Sequence, residues 1–232
     1  FGLIGYPLGH SFSKKFFTRK FEEESIKDCL YELFPIRSID ELPALLEQYP
    51  DLNGFNVTIP YKEQVIPYLD DASDVVKKIG ACNCVKIASG RLKGYNTDVV
   101  GFERSLRKSF PGLAGGALIL GTGGAAKAVE FVLGLLGFSY EYVSREGGAH
   151  KLSYQQLDAA VMAQHKLIVN TTPLGMSPEM EKCPPIPYDQ LTPDHCLFDL
   201  VYNPEMTLFM KKGVEQGASC LLYTSDAADE GL

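Results

Sequence analysis

Gly121-Thr122-Gly123-Gly124-Ala125-Ala126 is the stretch whose residue types speak most directly of chemistry. Its spacing is close to the dinucleotide-binding fingerprint, with Ala126 at the third small position. Gly121 permits a tight turn, Gly123 lets the backbone approach a pyrophosphate, and a helix N-terminus starting there favours the negative charge. The residue closing the next strand sorts the cofactors. An NAD site places Asp or Glu about 20 residues on, against the ribose 2′-hydroxyl. Ser144-Arg145 stands there instead. A guanidinium can pair with a 2′-phosphate and stack on adenine, so NADP is the expected cofactor. Glu146, directly after, works against a phosphate.

A second group of polar residues precedes this loop. In Asn56-Val57-Thr58-Ile59-Pro60-Tyr61-Lys62, apolar Phe55, Val57 and Ile59 alternate with Asn56 and Thr58, as in a strand. Pro60 cannot donate to a sheet ladder and should end it. Thr58 then falls near the strand's carboxyl end and Lys62 on the segment just after it, where α/β sheets take their ligands. A lysine by itself is ordinarily a solvated surface residue. Ser11 and Ser13 precede a helical pattern, and two readings stand for them. One is a helix N-cap; the other is a hydroxyl pair that holds a carboxylate with the helix's free N–H groups. Asp98, before another apolar-periodic stretch, reads as an N-cap. Cys82 and Cys84 form a lone Cys-x-Cys without a second pair or a histidine cluster, so no metal site is expected.

These residues need elements to hold them. Residues 1–5 read as a short buried strand, 14–24 as a helix, 29–34 as a strand and 39–49 as an amphipathic helix. The strand over 55–59 leads into a helix over 61–68. Residues 70–79 carry Asp74, Lys77 and Lys78 on a solvated face, and 81–87 and 91–96 pair through a turn at Ser89-Gly90. A helix spans 99–106. The unbroken apolar run 117–120 is of the parallel-sheet kind, followed by a helix to 136 and a strand over 140–144. Strands over 166–172 and 196–202 each end in polar residues, with a proline-rich irregular loop between them.

Composition bounds the function. The 232 residues are 45% hydrophobic and 22% charged, enough for one or two globular domains with ample core. A net charge of −7 offers no bulk basic field for nucleic acid. No apolar run approaches the ~20 residues of a membrane span, and the opening residues lack a basic n-region. The missing initiator Met suggests a few absent N-terminal residues. Six cysteines scattered without a disulfide framework fit a reducing cytoplasm.

Taken together, seven motifs in order resemble the shikimate dehydrogenase family. They are Gly5-Tyr6-Pro7-Leu8-Gly9-His10-Ser11-Phe12-Ser13; Asn56-Val57-Thr58-Ile59-Pro60-Tyr61-Lys62; Gly80-Ala81-Cys82-Asn83; Asn96-Thr97-Asp98-Val99-Val100-Gly101; Gly121-Thr122-Gly123-Gly124-Ala125; Asn170-Thr171-Thr172-Pro173-Leu174-Gly175-Met176; and Asp199-Leu200-Val201-Tyr202-Asn203-Pro204. The resemblance covers Gly2 to about Ser219. It implies a two-domain α/β fold, with an N-terminal substrate domain over 1–98, a Rossmann-type NADP domain over 99–219, and the active site in the cleft between them. The implied reaction is the reversible NADP-dependent reduction of 3-dehydroshikimate to shikimate, in chorismate and aromatic amino-acid biosynthesis. Ser11 and Ser13 then hold the substrate carboxylate, and Thr58, Lys62, Asn83 and Asp98 face the ring hydroxyls. Tyr202 closes the site. Lys62 becomes the acid/base with Asp98 its partner, and Gly121, Thr122, Gly123, Gly124, Ala125, Ser144, Arg145 and Leu200 hold the cofactor. The implied protein is cytoplasmic, a monomer or homodimer, binding a small molecule and neither nucleic acid nor membrane.

The chain departs from the family pattern at three places. Ser144-Arg145-Glu146 stands where Asn-Arg-Thr is frequent, and Cys84 where Thr is common. Residues 220–232 lack the family's substrate glutamine and final helix, and read as an atypical tail, artefactual or truncated. Two alternatives follow: a quinate/shikimate dehydrogenase of relaxed cofactor use, or a dinucleotide-binding module inactive without the C-terminal segment.

Overall fold

The computed structural model describes residues 1–9, 11–201 and 203–222 and divides the chain into two compact units, Phe1–Thr97 and Asp98–Leu232. The division falls one residue before the expected boundary.

The first unit runs β1 (Gly2–Ile4), α1 (Ser13–Glu23), β2 (Glu32–Phe34), α2 (Leu42–Gln48), β3 (Gly54–Val57), β4 (Asp71–Ala72), α3 (Asp74–Ile79), β5 (Cys84–Ala88) and β6 (Arg91–Tyr95). Its sheet has the order β2-β1-β3-β5-β6-β4. β1 pairs parallel with β2 and β3, whereas β5 runs antiparallel to both β3 and β6. The β5–β6 hairpin turns at Ser89 (φ 51°) and Gly90 (φ 73°), the left-handed pair that matches strand twist in a two-residue loop. Local caps set the helices. Ser38 accepts from Asp40 N (3.3 Å) while Glu41 accepts from Ser38 N (2.9 Å), ahead of α2. Ser73 caps α3, and Gly80 in left-handed conformation ends it. The core beneath the sheet holds Ile4, Phe34, Leu42, Phe55, Val57, Tyr61, Val65 and Val85.

The second unit runs α4 (Asp98–Ser109), β7 (Gly116–Leu120), α5 (Gly124–Leu135), β8 (Ser139–Ser144), β9 (Lys151–Ser153), α6 (Ala159–Gln164), β10 (His165–Asn170), β11 (Cys196–Asp199), α7 (Leu208–Glu215) and β12 (Ser219–Leu222). All six strands are parallel, in the order β12-β11-β10-β7-β8-β9. Counted within this unit, that is the 3-2-1-4-5-6 arrangement of a Rossmann sheet, with its switch point between β7 and β10. Every residue of β7 is buried, as an unbroken apolar strand covered on both faces must be. No helix among the described residues is long and apolar enough to cross a membrane.

Several expected elements are corrected. The helix over 61–68 is a run of turns closed by a 3-10 turn at Ile66–Tyr68, because Pro67 removes a donor and disfavours helical backbone at Ile66. Asp98 is the first residue of α4 and not the cap before it. Neither serine is the cap of α1: Phe12 holds that position, and Ser13 is already helical. The strand expected from 29 begins at Glu32, and those expected to reach 172 and 202 stop at Asn170 and Asp199. Cys220, Leu221 and Leu222, assigned to the tail, lie in β12 and pair with Leu197, Phe198 and Asp199. Their apolar side chains complete the sheet edge, which is why they are part of the fold. The remainder of the expected tail, His10 and Tyr202 lie outside the described residues.

Candidate functional site

In the first unit, strand direction gathers the polar residues. β1 and β3 are parallel, so the segments after them leave the same edge of the sheet. β5 is antiparallel to β3, so the residue entering it, Asn83, starts from that edge too. Ser11, Ser13, Thr58, Lys62 and Asn83 therefore share one edge. Gly5 makes the approach possible, since a Cβ there would collide with Thr58 Cγ2. Ser11 Oγ accepts from Ser13 N (3.3 Å), and both serines are half-buried.

Lys62 is half-buried and its main chain is clamped from two sides. Its carbonyl accepts from Cys82 N at 2.7 Å. Next to it, Tyr61 is 2% exposed and donates its hydroxyl to Ile36 O at 2.8 Å. Thr58 is bracketed likewise, donating its N–H to Ile4 O (3.0 Å) and accepting from Tyr61 N (2.9 Å). Burial pushes the Cys82 thiol up to about 11, with the Lys62 charge acting the other way, so Cys82 is a packed side chain and no nucleophile. Asn83, 8% exposed, is engaged at both ends of its amide. Oδ1 accepts from Thr97 N and Nδ2 donates to Thr97 Oγ1, each at 2.9 Å.

In the second unit, the loop after β7 fits a dinucleotide pyrophosphate. Gly121 has φ 105°, and a Cβ there would stand 2.8 Å from Thr171 Oγ1. Gly123 is the N-cap of α5 and offers its helix no side-chain acceptor. Among the described residues, a Cβ on Gly123 would meet nothing within 4 Å, so the space before the helix N–H groups is open there. Ala126 is fully buried, letting α5 lie close to the sheet. Thr122 is exposed, and Gly124 and Ala125 are half-buried in the first turn of α5. Ser144 closes β8 half-buried, and Arg145 and Glu146 follow it exposed. Leu200, half-buried, donates its N–H to Asn170 O at 3.0 Å. Asp98 is half-buried at the start of α4.

A buried polar network beneath these loops went unassigned in the sequence. Asp199, fully buried at the end of β11, accepts from Asn170 Nδ2 (2.9 Å), Val201 N (3.0 Å) and Thr207 Oγ1 (2.6 Å). Asn170 Oδ1 in turn accepts from Thr172 N (3.0 Å) and Thr172 Oγ1 (2.6 Å). Burial raises the Asp199 carboxyl to about 6, against the hydrogen bonds from Thr207, Val201 and Asn170. The signal was two apolar strands ending in Asn and Asp. Tyr61 and Thr97 lie within the sequence motifs but carry no role that residue type alone reveals. The described residues contain no group of three or more His, Cys, Asp or Glu side chains that could hold a metal.

The six-stranded parallel sheet and its glycine loop at the switch point define a dinucleotide-binding α/β protein, joined here to a second α/β unit. Residues 3–85 match the family described as the shikimate dehydrogenase substrate binding domain. A shikimate dehydrogenase (NADP(+)) of Desulforamulus reducens is 34% identical over 95% of this chain and 82% of its own. That of Carboxydothermus hydrogenoformans is 37% identical over 94% and 83%. A solved Thermus thermophilus shikimate 5-dehydrogenase, in complex with NADP(H) and shikimate, superposes with a TM-score of 0.82 at 28% identity, over 95% of this chain and 85% of that one. The chain belongs to the shikimate dehydrogenase family.

Proposed function

We propose that this chain catalyses the reversible NADP-dependent reduction of 3-dehydroshikimate to shikimate, the step that serves chorismate and aromatic amino-acid biosynthesis. The observation that carries the reading is the open, uncapped N-terminus of α5 behind Gly121 and Gly123, in a chain whose curated relatives are shikimate dehydrogenases (NADP(+)). Arg145 after β8, with no carboxylate closing that strand, supports NADP over NAD.

Ketone reduction needs a hydride at carbon and a proton at oxygen. The bound dinucleotide supplies the hydride. Lys62 gives the proton to the ketone oxygen and takes it from the hydroxyl in the reverse direction. Its main chain, clamped through Tyr61 and Cys82, keeps the donor in register with a bound ring. Asp98 is assigned with it as the second catalytic group. Ser11 and Ser13 take the carboxylate, Thr58 and Asn83 the ring hydroxyls, and Tyr202 closes the site. Gly121, Thr122, Gly123, Gly124 and Ala125 take the pyrophosphate, Ser144 and Arg145 the 2′-phosphate end, and Leu200 the far end of the cofactor. The protein acts in the cytoplasm as a monomer or homodimer.

The test is a spectrophotometric assay of shikimate and quinate, each against NADP and NAD. The reading expects the highest kcat/KM with shikimate and NADP. Turnover of quinate alone, or of neither acid, would overturn it.

A further inference from the structure

The Asn83 carboxamide can be bonded in either of two orientations, because its oxygen and nitrogen differ little in size. A hydroxyl-rich ligand would meet a donor in one orientation and an acceptor in the other. Nothing in the main chain of Asn83 decides between them. Its N–H donates to Tyr95 O (3.1 Å), and its carbonyl accepts from Val57 N (2.9 Å) and Asn56 Nδ2 (3.4 Å). These bonds fix the backbone and leave the amide's sense open.

Thr97 decides it. Its backbone N–H can only donate, so the group 2.9 Å away must be Asn83 Oδ1. Its Oγ1, also 2.9 Å away, then accepts from Nδ2. The backbone N–H therefore fixes the sense of the carboxamide, and the hydroxyl, able to donate or accept, anchors its second end in that sense. Thr97 is itself held from behind, since the adjoining Asn96 is 6% exposed and donates Nδ2 to Ala81 O (3.1 Å). The segment leaving β6 is thus stitched to the segment entering β5 by two asparagines, one in each direction. Thr97 is exposed, whereas the Asn83 carboxamide that it bonds at both ends is buried.

We propose that Thr97 is a positioning residue for substrate recognition, its hydroxyl holding the Asn83 carboxamide toward the hydroxyl-bearing ring in the sense that the backbone N–H sets. The inference rests on the reading of Asn83 as a substrate-binding residue. It makes Thr97 a determinant of hydroxyl recognition that acts through Asn83 without touching substrate itself.

The experiment compares Thr97→Val, Thr97→Ser and Asn83→Ala with the unaltered chain, by steady-state kinetics, shikimate titration calorimetry and thermal melting. Thr97→Val removes the Oγ1 acceptor and keeps a branched side chain; Thr97→Ser keeps the acceptor. The expected result for Thr97→Val is a three- to tenfold rise in shikimate KM and Kd, about what one neutral hydrogen bond is worth. Its kcat stays within twofold and its KM for NADP is unchanged, and Thr97→Ser returns shikimate KM to the starting value. A merely structural Thr97 would lower the melting temperature and leave shikimate KM alone, which overturns the proposal. A raised KM in Asn83→Ala with none in Thr97→Val overturns the role of Thr97 and spares that of Asn83. Unchanged shikimate affinity in both removes the Asn83 reading and the inference with it. Should Thr97→Val fail to fold, Thr97→Ala supplies the same comparison.

Discussion

Single residues in this chain are placed by bonds that the residues themselves do not announce. Lys62 is half-buried beyond a strand end, and what distinguishes it from a surface lysine is the rigidity of its main chain. Tyr61 is anchored in the core to Ile36 O, and the Lys62 carbonyl is tied to Cys82 N. A donor held this way is suited to act in the transition state more than in ground-state binding. Lys62→Ala is therefore expected to lower kcat by about 10²–10⁴-fold while the Kd for shikimate changes by a modest factor. Steady-state rates paired with titration calorimetry check this, and near-normal turnover would remove Lys62 from its role. At the other end of the reaction, Arg145 stands exposed beyond β8 beside Glu146. Losing a guanidinium–phosphate contact should weaken NADP binding by roughly 10–100-fold in Arg145→Ala, with a smaller loss for NAD. Equal losses for both cofactors would mean that the guanidinium stacks on adenine and does not read the phosphate.

At the scale of elements, α5 is the clearest case of a helix end kept open. Its N-cap is glycine, although Asp, Ser or Asn would cap it better, and the backbone at Gly123 (φ −84°, ψ −172°) is extended and open to any residue. No described residue stands within 4 Å of a Cβ there, so packing against them does not demand glycine. On the proposed reading, the reason for glycine lies in the pyrophosphate that approaches the helix N–H groups. Gly123→Asp should leave thermal stability unchanged or raise it by a few tenths of a kcal/mol through capping. The same carboxylate would occupy and repel the pyrophosphate position, and NADP affinity should fall by about tenfold or more. Melting curves with and without NADP separate the two effects. Unimpaired NADP binding in a folded Gly123→Asp protein would remove the cofactor from this helix end. Three other helices follow ordinary capping rules, with Ser73 before α3, Asp158 before α6 and Thr207 before α7.

For the molecule as a whole, the Asp199 network ties stability to pH. In the second unit, Asp199 joins the end of β11 to the end of β10 through Asn170 and to the cap of α7 through Thr207. Burial raises its carboxyl from 3.8 to about 6, so the folded state holds a proton that the unfolded chain releases. Stability from this group is therefore fully present below pH ~4 and is lost as pH rises through 6, on the order of 3 kcal/mol at most. Asp199→Asn can keep the pattern, its Oδ1 accepting from Asn170 and Val201 and its Nδ2 turned to Thr207 Oγ1. Unfolding free energies measured from pH 4 to 8 should show the variant gaining on the parent as pH rises across that window. A constant difference between the two would mean that Asp199 does not titrate there.

Much of this architecture was legible because it is written in local patterns. Alternation at 55–59, the apolar run before Gly121 and the glycine loop itself depend on neighbours a few positions away, which is all a strand–loop–helix unit needs. The β5–β6 hairpin was visible for the same reason, since Ser89-Gly90 alone satisfies its turn. β9, β12, α6 and α7 were not seen: they are short, and only pairing with β8 and β11 or packing under the sheet stabilises them. Reading Cys220–Leu222 as tail failed on this point, because a four-residue strand has no signature apart from the edge it joins. The residue types at the candidate site were likewise evident from the motifs. Their hydrogen bonds were not, because Asn83 meets Thr97 through the register of an antiparallel pair, and Asp199 meets Asn170 through a parallel one. Sequence alone determined which chemical groups the chain carries and which segments form its longer strands. Only tertiary structure decided which of those groups face one another, because that depends on strand order and direction, which no local stretch encodes.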